Sequence, residues 1–166
     1  MIKVGCCGFP TSMKKYFETF SLVELNTTFY QYPRINTVEG WRVKAPRNFE
    51  FTVKAHQDIS HEEKLKLEAP TLEAFERMKQ ICRTLNARII LFQTPGSFRP
   101  DGLVDAERFF EAVNREGLIL VWETRGPAWE TLEARKKLGK ILEKSNVVHV
   151  TDPLRIMPAY TGEMHT

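Results

Sequence analysis

The sequence predicts one α/β domain in which parallel strands are covered by outer helices. Three observations lead there. Short apolar runs alternate with longer amphipathic stretches along the chain, the pattern of repeated strand–helix units. The length, 166 residues, suits one domain with a sizeable core. Polar side chains gather just after the apolar runs, where parallel β/α folds place their ligands.

The units follow in order. Ile2 to Cys6 is a short apolar run ending near Gly8 and reads as the first strand. A short helix follows with Met13, Tyr16, Phe17 and Phe20 inward. Leu22 to Asn26 reads as the second strand, and Thr27 to Tyr32 as extended chain or loop ended by Pro33. A helix from Thr37 carries Val38, Trp41 and Ala45 on one face. Phe49 to Ala55 alternates, with Phe49, Phe51 and Val53 on one side and Thr52 and Lys54 on the other. His56 to Glu68 is polar, without persistent periodicity, and reads as a functional or mobile loop.

Pro70-Thr71 opens a helix whose inward stripe is Leu72, Phe75, Met78, Cys82 and Leu85. Asn86 closes it, and Ala87 to Phe92 is the fourth strand. A helix from Gly102 to Asn114 presents Leu103, Phe109, Phe110 and Val113, and Gly117 stops it. Leu118 to Trp122 is strand five. Thr131 to Glu143 is a helix with Leu132, Leu138, Ile141 and Leu142 inward. Asn146 to Thr151 is strand six, and 153–166 reads as an irregular tail. Periodicity by itself leaves an open sheet and a barrel equally open, and a complete eight-unit barrel needs ~200 residues or more.

Composition narrows the function classes. A formal charge of +3, from 24 basic and 21 acidic residues, permits an anionic small-molecule ligand and does not demand nucleic acid. No run approaches the ~20 apolar residues of a membrane span. Cys6, Cys7 and Cys82 lack metal-ligand spacing and read as reduced thiols of a cytoplasmic protein. No HxH or HExxH grouping supports zinc, no glycine-rich fingerprint supports a nucleotide, and any cofactor stays unknown.

The strand ends carry Glu24, Asn26, Lys54, Gln93, Glu123, Arg125 and Asp152. Glu24 sits among Leu22, Val23 and Leu25, where a carboxylate is costly unless paired. It is either ligand-facing or half of a structural ion pair, and Glu123 poses the same choice. Two such carboxylates suit acid–base catalysis, or, with Asp152, the holding of a divalent cation. Lys54 and Arg125 suit a phosphate or carboxylate, or else neutralise the rim glutamates. Asn26 and Gln93 either orient a ligand or satisfy loop backbone. His61 is a proton-shuttle candidate or a surface residue, and His149, inside strand six, reads as a hydrogen-bonded core histidine. Among the rim aromatics Tyr30 (with Phe29) and Trp129 are the candidates for ligand contact. Cys6 and Cys7 end the first strand and point opposite ways by alternation; a small apolar core role reads more readily there than a cysteine nucleophile.

Several segments in order resemble the YecE-like family, a domain of unknown function. They are Val4-Gly5-Cys6-Cys7-Gly8-Phe9, Val23-Glu24-Leu25-Asn26-Thr27-Thr28-Phe29-Tyr30, Phe49-Glu50-Phe51-Thr52-Val53-Lys54, Ile59-Ser60-His61, Leu91-Phe92-Gln93-Thr94-Pro95-Gly96-Ser97-Phe98 and Trp122-Glu123-Thr124-Arg125, with Trp41, Trp129 and Asp152. The resemblance implies a TIM-barrel-like fold, here of about six β/α units. It matches family motif positions to Glu24, Asn26, Thr28, Tyr30, Lys54, His61, Gln93, Glu123, Arg125 and Asp152, and implies no reaction. Family members continue beyond the Asp152 region, so the resemblance implies an incomplete or truncated barrel. Its open edge would be covered by the tail or by a second copy in a homodimer.

Three functions follow as expectations. The first is an enzyme acting on a small phosphorylated or sugar-like compound, or on a phosphodiester. In it Glu24, Glu123 and His61 are catalytic, and Asn26, Tyr30, Lys54, Gln93, Arg125, Trp129 and Asp152 bind substrate. The second is a module for single-stranded nucleic acid, suggested by the basic excess and the rim aromatics. The third is a non-catalytic relative.

Overall fold

The computed structural model describes residues 2–152 and Ala159; all but Ala159 of the tail expected over 153–166 lies outside the described residues. Six strands form one sheet: β1 Gly5–Cys7, β2 Leu22–Leu25, β3 Glu50–Lys54, β4 Ile89–Gln93, β5 Ile119–Glu123 and β6 Val148–Val150. Each pairs in parallel with its sequence neighbour, giving the order 1-2-3-4-5-6 with β1 and β6 at the edges. The helices are α1 Met13–Thr19, α2 Thr27–Tyr30, α3 Ile35–Lys44, α4 Ala69–Leu85, α5 Leu103–Ala112 and α6 Leu132–Lys144. With right-handed crossovers, an unreversed strand order puts every connecting helix on one face, which is how a βα barrel is wound.

Side-chain alternation divides the strands accordingly. Val23, Leu25, Phe51, Val53, Ile90, Phe92, Leu120 and Trp122 are buried against the helical layer. Phe75, Phe92, Phe109, Phe110 and Trp122 meet there edge-on or tilted, with ring centroids 5.3–6.1 Å apart. Lys79 of α4 is 2% exposed and meets the carboxylates of Glu76 and Glu116 at 2.7 and 2.9 Å. These ion pairs hold its ammonium above the ordinary lysine range despite burial. It serves as a structural tie from α4 to the turn before β5.

Local chemistry sets the ends of these elements. Asn86 stops α4 in the left-handed conformation at φ 55°, and Thr131 caps α6 by accepting from Ala134 N–H at 3.2 Å. Gly5 is required by close approach, since a Cβ there would lie 2.4 Å from the Leu22 carbonyl oxygen. Just beneath, the fully buried Tyr16 hydroxyl accepts from Cys6 N–H at 2.7 Å and donates to Leu22 O at 2.9 Å, bridging β1 and β2.

Several sequence expectations are corrected. Thr27 to Tyr30 is helical, because the Thr28 hydroxyl lies 2.8 Å from Leu25 O and 2.7 Å from Lys54 O and turns the chain over the end of β3. The stretch from His56 is not a free loop. It contains a π-helical turn, Asp58–Glu62, pinned by fully buried Ile59 and Leu65. Leu72 and Leu132, expected inward, are 38% and 60% exposed, because Thr71, Ala74 and Phe75 take the buried face of α4 and Ala134 and Leu138 that of α6. The strand boundaries shift by one to three residues, most usefully at β4 and β5, which include Gln93 and Glu123.

Replacing Tyr16 with Phe keeps the ring and leaves Cys6 N–H and Leu22 C=O without their bridge. The expected outcome is a loss of about 1–3 kcal/mol, measured as a lower chemical-denaturation midpoint at unchanged slope.

Candidate functional site

The register brings the strand-end polar residues to the face opposite the helices. Cys7 pairs with Glu24 and Glu24 with Thr52. Lys54, two residues on, pairs with Leu91, and Gln93, two further on, pairs with Glu123. Glu24, Lys54 and Gln93 thus climb one diagonal across β2, β3 and β4, the stagger that tilted barrel strands produce. That diagonal is continuous in contacts at its upper end. Lys54 Nζ donates to Gln93 Oε1 at 2.8 Å, Gln93 Nε2 donates to Glu123 Oε2 at 2.7 Å, and Arg125 Nε donates to Glu123 Oε1 at 2.6 Å. Gln93 and Glu123 are 8% and 7% exposed. They are satisfied polar groups in a nearly closed setting.

Glu24 lies at the lower end of the diagonal. Burial pushes its carboxyl above the ordinary range, and the nearby Glu123 charge adds to that. The Cys7 thiol, which hydrogen-bonds to it, and the charges of Lys54 and Arg125 oppose the shift without cancelling it. Desolvation and the Glu24 charge push the Cys7 thiol up as well, while the Asn26 amide supports its sulfur. Lys54 moves the other way: burial, with Arg125 nearby, lowers its ammonium below the ordinary lysine range, against the pull of Glu24 and Glu123. Its Nζ stands 4.3 Å above the Phe29 ring.

His61, from the π-helical turn, packs edge-on to that same ring at 4.8 Å, and its Nδ1 is 2.9 Å from Ser60 Oγ. Burial and the Lys54 charge lower its pKa, so its imidazole is neutral at pH 7. Tyr30 is 70% exposed and touches Phe29 at the rim. Asn26 Oδ1 is a buried acceptor without a partner among the described residues. Asp152 is half-buried, two residues past Val150, which pairs with Glu123.

One candidate falls outside this group. Trp129 is fully buried, donates to Phe98 O at 3.0 Å and stacks with Phe98 at an interplanar angle of 9°; it packs the layer behind the mouth, where the aromatic stripe draws it. Phe98 and Trp122 are buried there too. His149, expected in the core, is half-buried; its Nδ1 accepts from Ala159 N–H at 3.2 Å, and burial lowers its pKa to about 4.

Two participants escaped sequence reasoning. Cys7 belongs to the Glu24 side of the site; strand alternation separated it from Cys6 without saying which of the two turns inward. Thr94 binds the two carrier strands, donating its N–H to Glu123 O at 3.0 Å and accepting from Trp122 Nε1 at 3.2 Å. Beside it Gly126, at φ 98°, lies so close to Gly96 that a Cβ would meet the Gly96 oxygen at 2.8 Å. Among the described residues no group of three or more His, Cys, Asp or Glu is placed to hold a metal ion, and no helix is long and apolar enough to cross a membrane.

Comparison with known proteins gives a consistent picture. The chain is 29% identical to the UPF0759 protein YecE of Escherichia coli K12 over 107 residues, 64% of this chain and 39% of that protein. The match therefore spans about two fifths of the curated relative. A DUF72 family protein of Enterococcus faecalis V583 superposes with a TM-score of 0.71 at 23% identity, covering 96% of this chain and 68% of that one. A second, from Thermotoga maritima MSB8, gives a TM-score of 0.62 at 23% identity over 82% and 53% of the two chains. These structures share the TIM-barrel-like α/β fold. The family described as "Protein of unknown function DUF72" matches residues 8–155, and this chain belongs to it.

Proposed function

We propose that the barrel mouth is an active site for a small anionic, oxygen-rich substrate, such as a phosphorylated or sugar-like compound, worked on by acid–base chemistry at Glu24. The observation that carries this reading is the placement of Glu24 and Lys54. Each is set inward on an adjacent strand, each is shifted toward its neutral form by burial, and neither has an ion-pair partner within 4.0 Å among the described residues. A fold gains nothing in stability from this arrangement, whereas a catalyst needs groups poised between protonation states. Glu123 plays a different part. Held by Gln93 and Arg125, it orients them, and Arg125, whose side chain is 41% exposed, presents its remaining donors to an anionic group. Neutral His61, across Phe29 from Lys54, is placed to relay a proton. The nucleic-acid alternative loses support because Phe98, Trp122 and Trp129 are buried and offer no stacking face.

Two outcomes are expected. In a screen of sugar phosphates and related anionic metabolites followed by turnover assays, Glu24→Gln lowers kcat for a converted compound by about 10²–10⁴-fold. Arg125→Met chiefly raises KM. As a general acid, Glu24 donates only while protonated, so kcat falls as pH rises through its raised pKa. Turnover unchanged in Glu24→Gln removes Glu24 from the chemistry.

The second outcome concerns stability. A carboxyl with a raised folded pKa favours the native state below the unfolded pKa and loses that contribution as pH rises through the folded one. Glu24→Gln should therefore melt above the wild type at pH 7 to 8. The gap should shrink as pH falls toward the ordinary glutamate value of about 4.3, as followed by thermal melts across pH.

A further inference from the structure

We propose that Lys54 is a carbonyl-trapping amine, which forms an imine with a small aldehyde or ketone bearing an anionic group. This rests on the reading of the barrel mouth as a substrate site and names the reactive function of the substrate.

The other lysines of this chain are either paired with a carboxylate or exposed. Lys3, Lys79, Lys137 and Lys144 each meet a carboxylate, and Lys14, Lys15, Lys44, Lys64, Lys66, Lys136 and Lys140 are exposed to solvent. Lys54 has no carboxylate within 4.0 Å among the described residues, and the reason is visible. Gln93 stands between it and Glu123, turning its amide N–H₂ to Glu123 and its carbonyl oxygen to Lys54. The orientation is forced, because a carboxylate accepts and an ammonium or amine N–H donates. A neutral side chain thus occupies the place where a carboxylate would pin the ammonium. Phe29 packs its ring against Nζ at 4.3 Å. Arg125, at the far end of the same chain of contacts, adds a second positive charge that disfavours the first. The contrast with Lys79 is direct. Lys79 is the more buried of the two, yet its carboxylates hold it above the ordinary range, while Lys54 lies below it.

The chemistry closes with groups present at the mouth. The lone pair of neutral Nζ attacks the carbonyl carbon. The C=O π electrons move to oxygen, and a proton passes from nitrogen to that oxygen, giving a carbinolamine. Glu24, whose carboxyl burial shifts toward its protonated form, gives its proton to the hydroxyl. The C–O bond breaks, water leaves, and the nitrogen lone pair forms C=N. The product is an iminium on Lys54 facing the Glu24 carboxylate, whose charge now stabilises it. Arg125 is the counter-charge for the carboxylate or phosphate of the bound carbonyl compound.

The test is reductive trapping. The full chain is incubated at pH 7 with glyoxylate, pyruvate or glycolaldehyde phosphate in the presence of cyanoborohydride, which delivers hydride to the iminium carbon and fixes a secondary amine. Intact mass and peptide mapping then locate it. The expected result is a single adduct on Lys54 while exposed lysines such as Lys137 remain unlabelled at the same time. The adduct should be lost in Lys54→Arg. It should also be strongly slowed in Gln93→Glu, which places a carboxylate against the amine. No adduct with any of the three compounds, or labelling spread over surface lysines and unchanged in Lys54→Arg, overturns the proposal. The two readings fail separately. Metabolite turnover that depends on Glu24 without trapping at Lys54 leaves acid–base catalysis standing and removes the imine. Trapping at Lys54 with turnover indifferent to Glu24→Gln removes the assigned acid and keeps the amine.

Discussion

Parallel pairing of every strand with its sequence neighbour is the constraint on which the site depends. An unreversed strand order sends each crossover to the same side, so one face of the sheet is covered by α1 and α3 to α6 and the other receives the alternate side chains. The register then does the placing. Glu24 pairs with Thr52, Lys54 with Leu91 and Gln93 with Glu123, so reactive groups two residues apart in pairing height fall on one diagonal. A slip of one residue at β3 would turn Lys54 into the helical layer and Val53 into the mouth. That register is held locally: the Tyr16 hydroxyl ties β1 to β2, and the Thr28 hydroxyl seats α2 over the end of β3.

The same protein handles buried charge in two ways, and the contrast locates function. Lys79 is enclosed with two carboxylates and stays charged, as a structural lysine should. Lys54 and Glu24 are partly enclosed without an ion-pair partner within 4.0 Å among the described residues, both displaced toward neutrality. Burial of a titratable group without a partner lowers stability, and proteins keep such violations of local rules chiefly at functional sites. Gln93 is the pivot. As an amide it links a lysine and a glutamate while keeping them apart.

Much of this was legible in the residues. A glutamate inside Leu-Val-Glu-Leu breaks the apolar pattern and marks an inward-facing position, and the strand–helix alternation places Lys54, Gln93 and Glu123 at strand ends. What stayed hidden has physical causes. Four residues, Thr27 to Tyr30, are too few to show a helical period, and the hydroxyl bridge that turns them is a tertiary contact. Ile59 and Leu65 match no regular repeat, so their burial depends on the cleft that receives them. Trp129 carries no mark separating a rim aromatic from a packing one, and stacking with Phe98 decides it. Adjacent Cys6 and Cys7 must face opposite ways, but only pairing with Glu24 tells which is inward. The carboxyl and amine shifts depend on desolvation, which a linear sequence does not display.

The barrel mouth shifts the Glu24 carboxyl above its ordinary range and the Lys54 ammonium below its own. NMR titration tests it most directly. Glutamate side-chain carboxyl carbons and lysine Cε groups are followed with pH in labelled protein, and assigned with Glu24→Gln and Lys54→Arg. The account predicts that Glu24 titrates above the other glutamates and Lys54 below the other lysines. It further predicts that Gln93→Glu moves Lys54 back upward. Titration of both residues at the ordinary values of about 4.3 and 10.4 would contradict it.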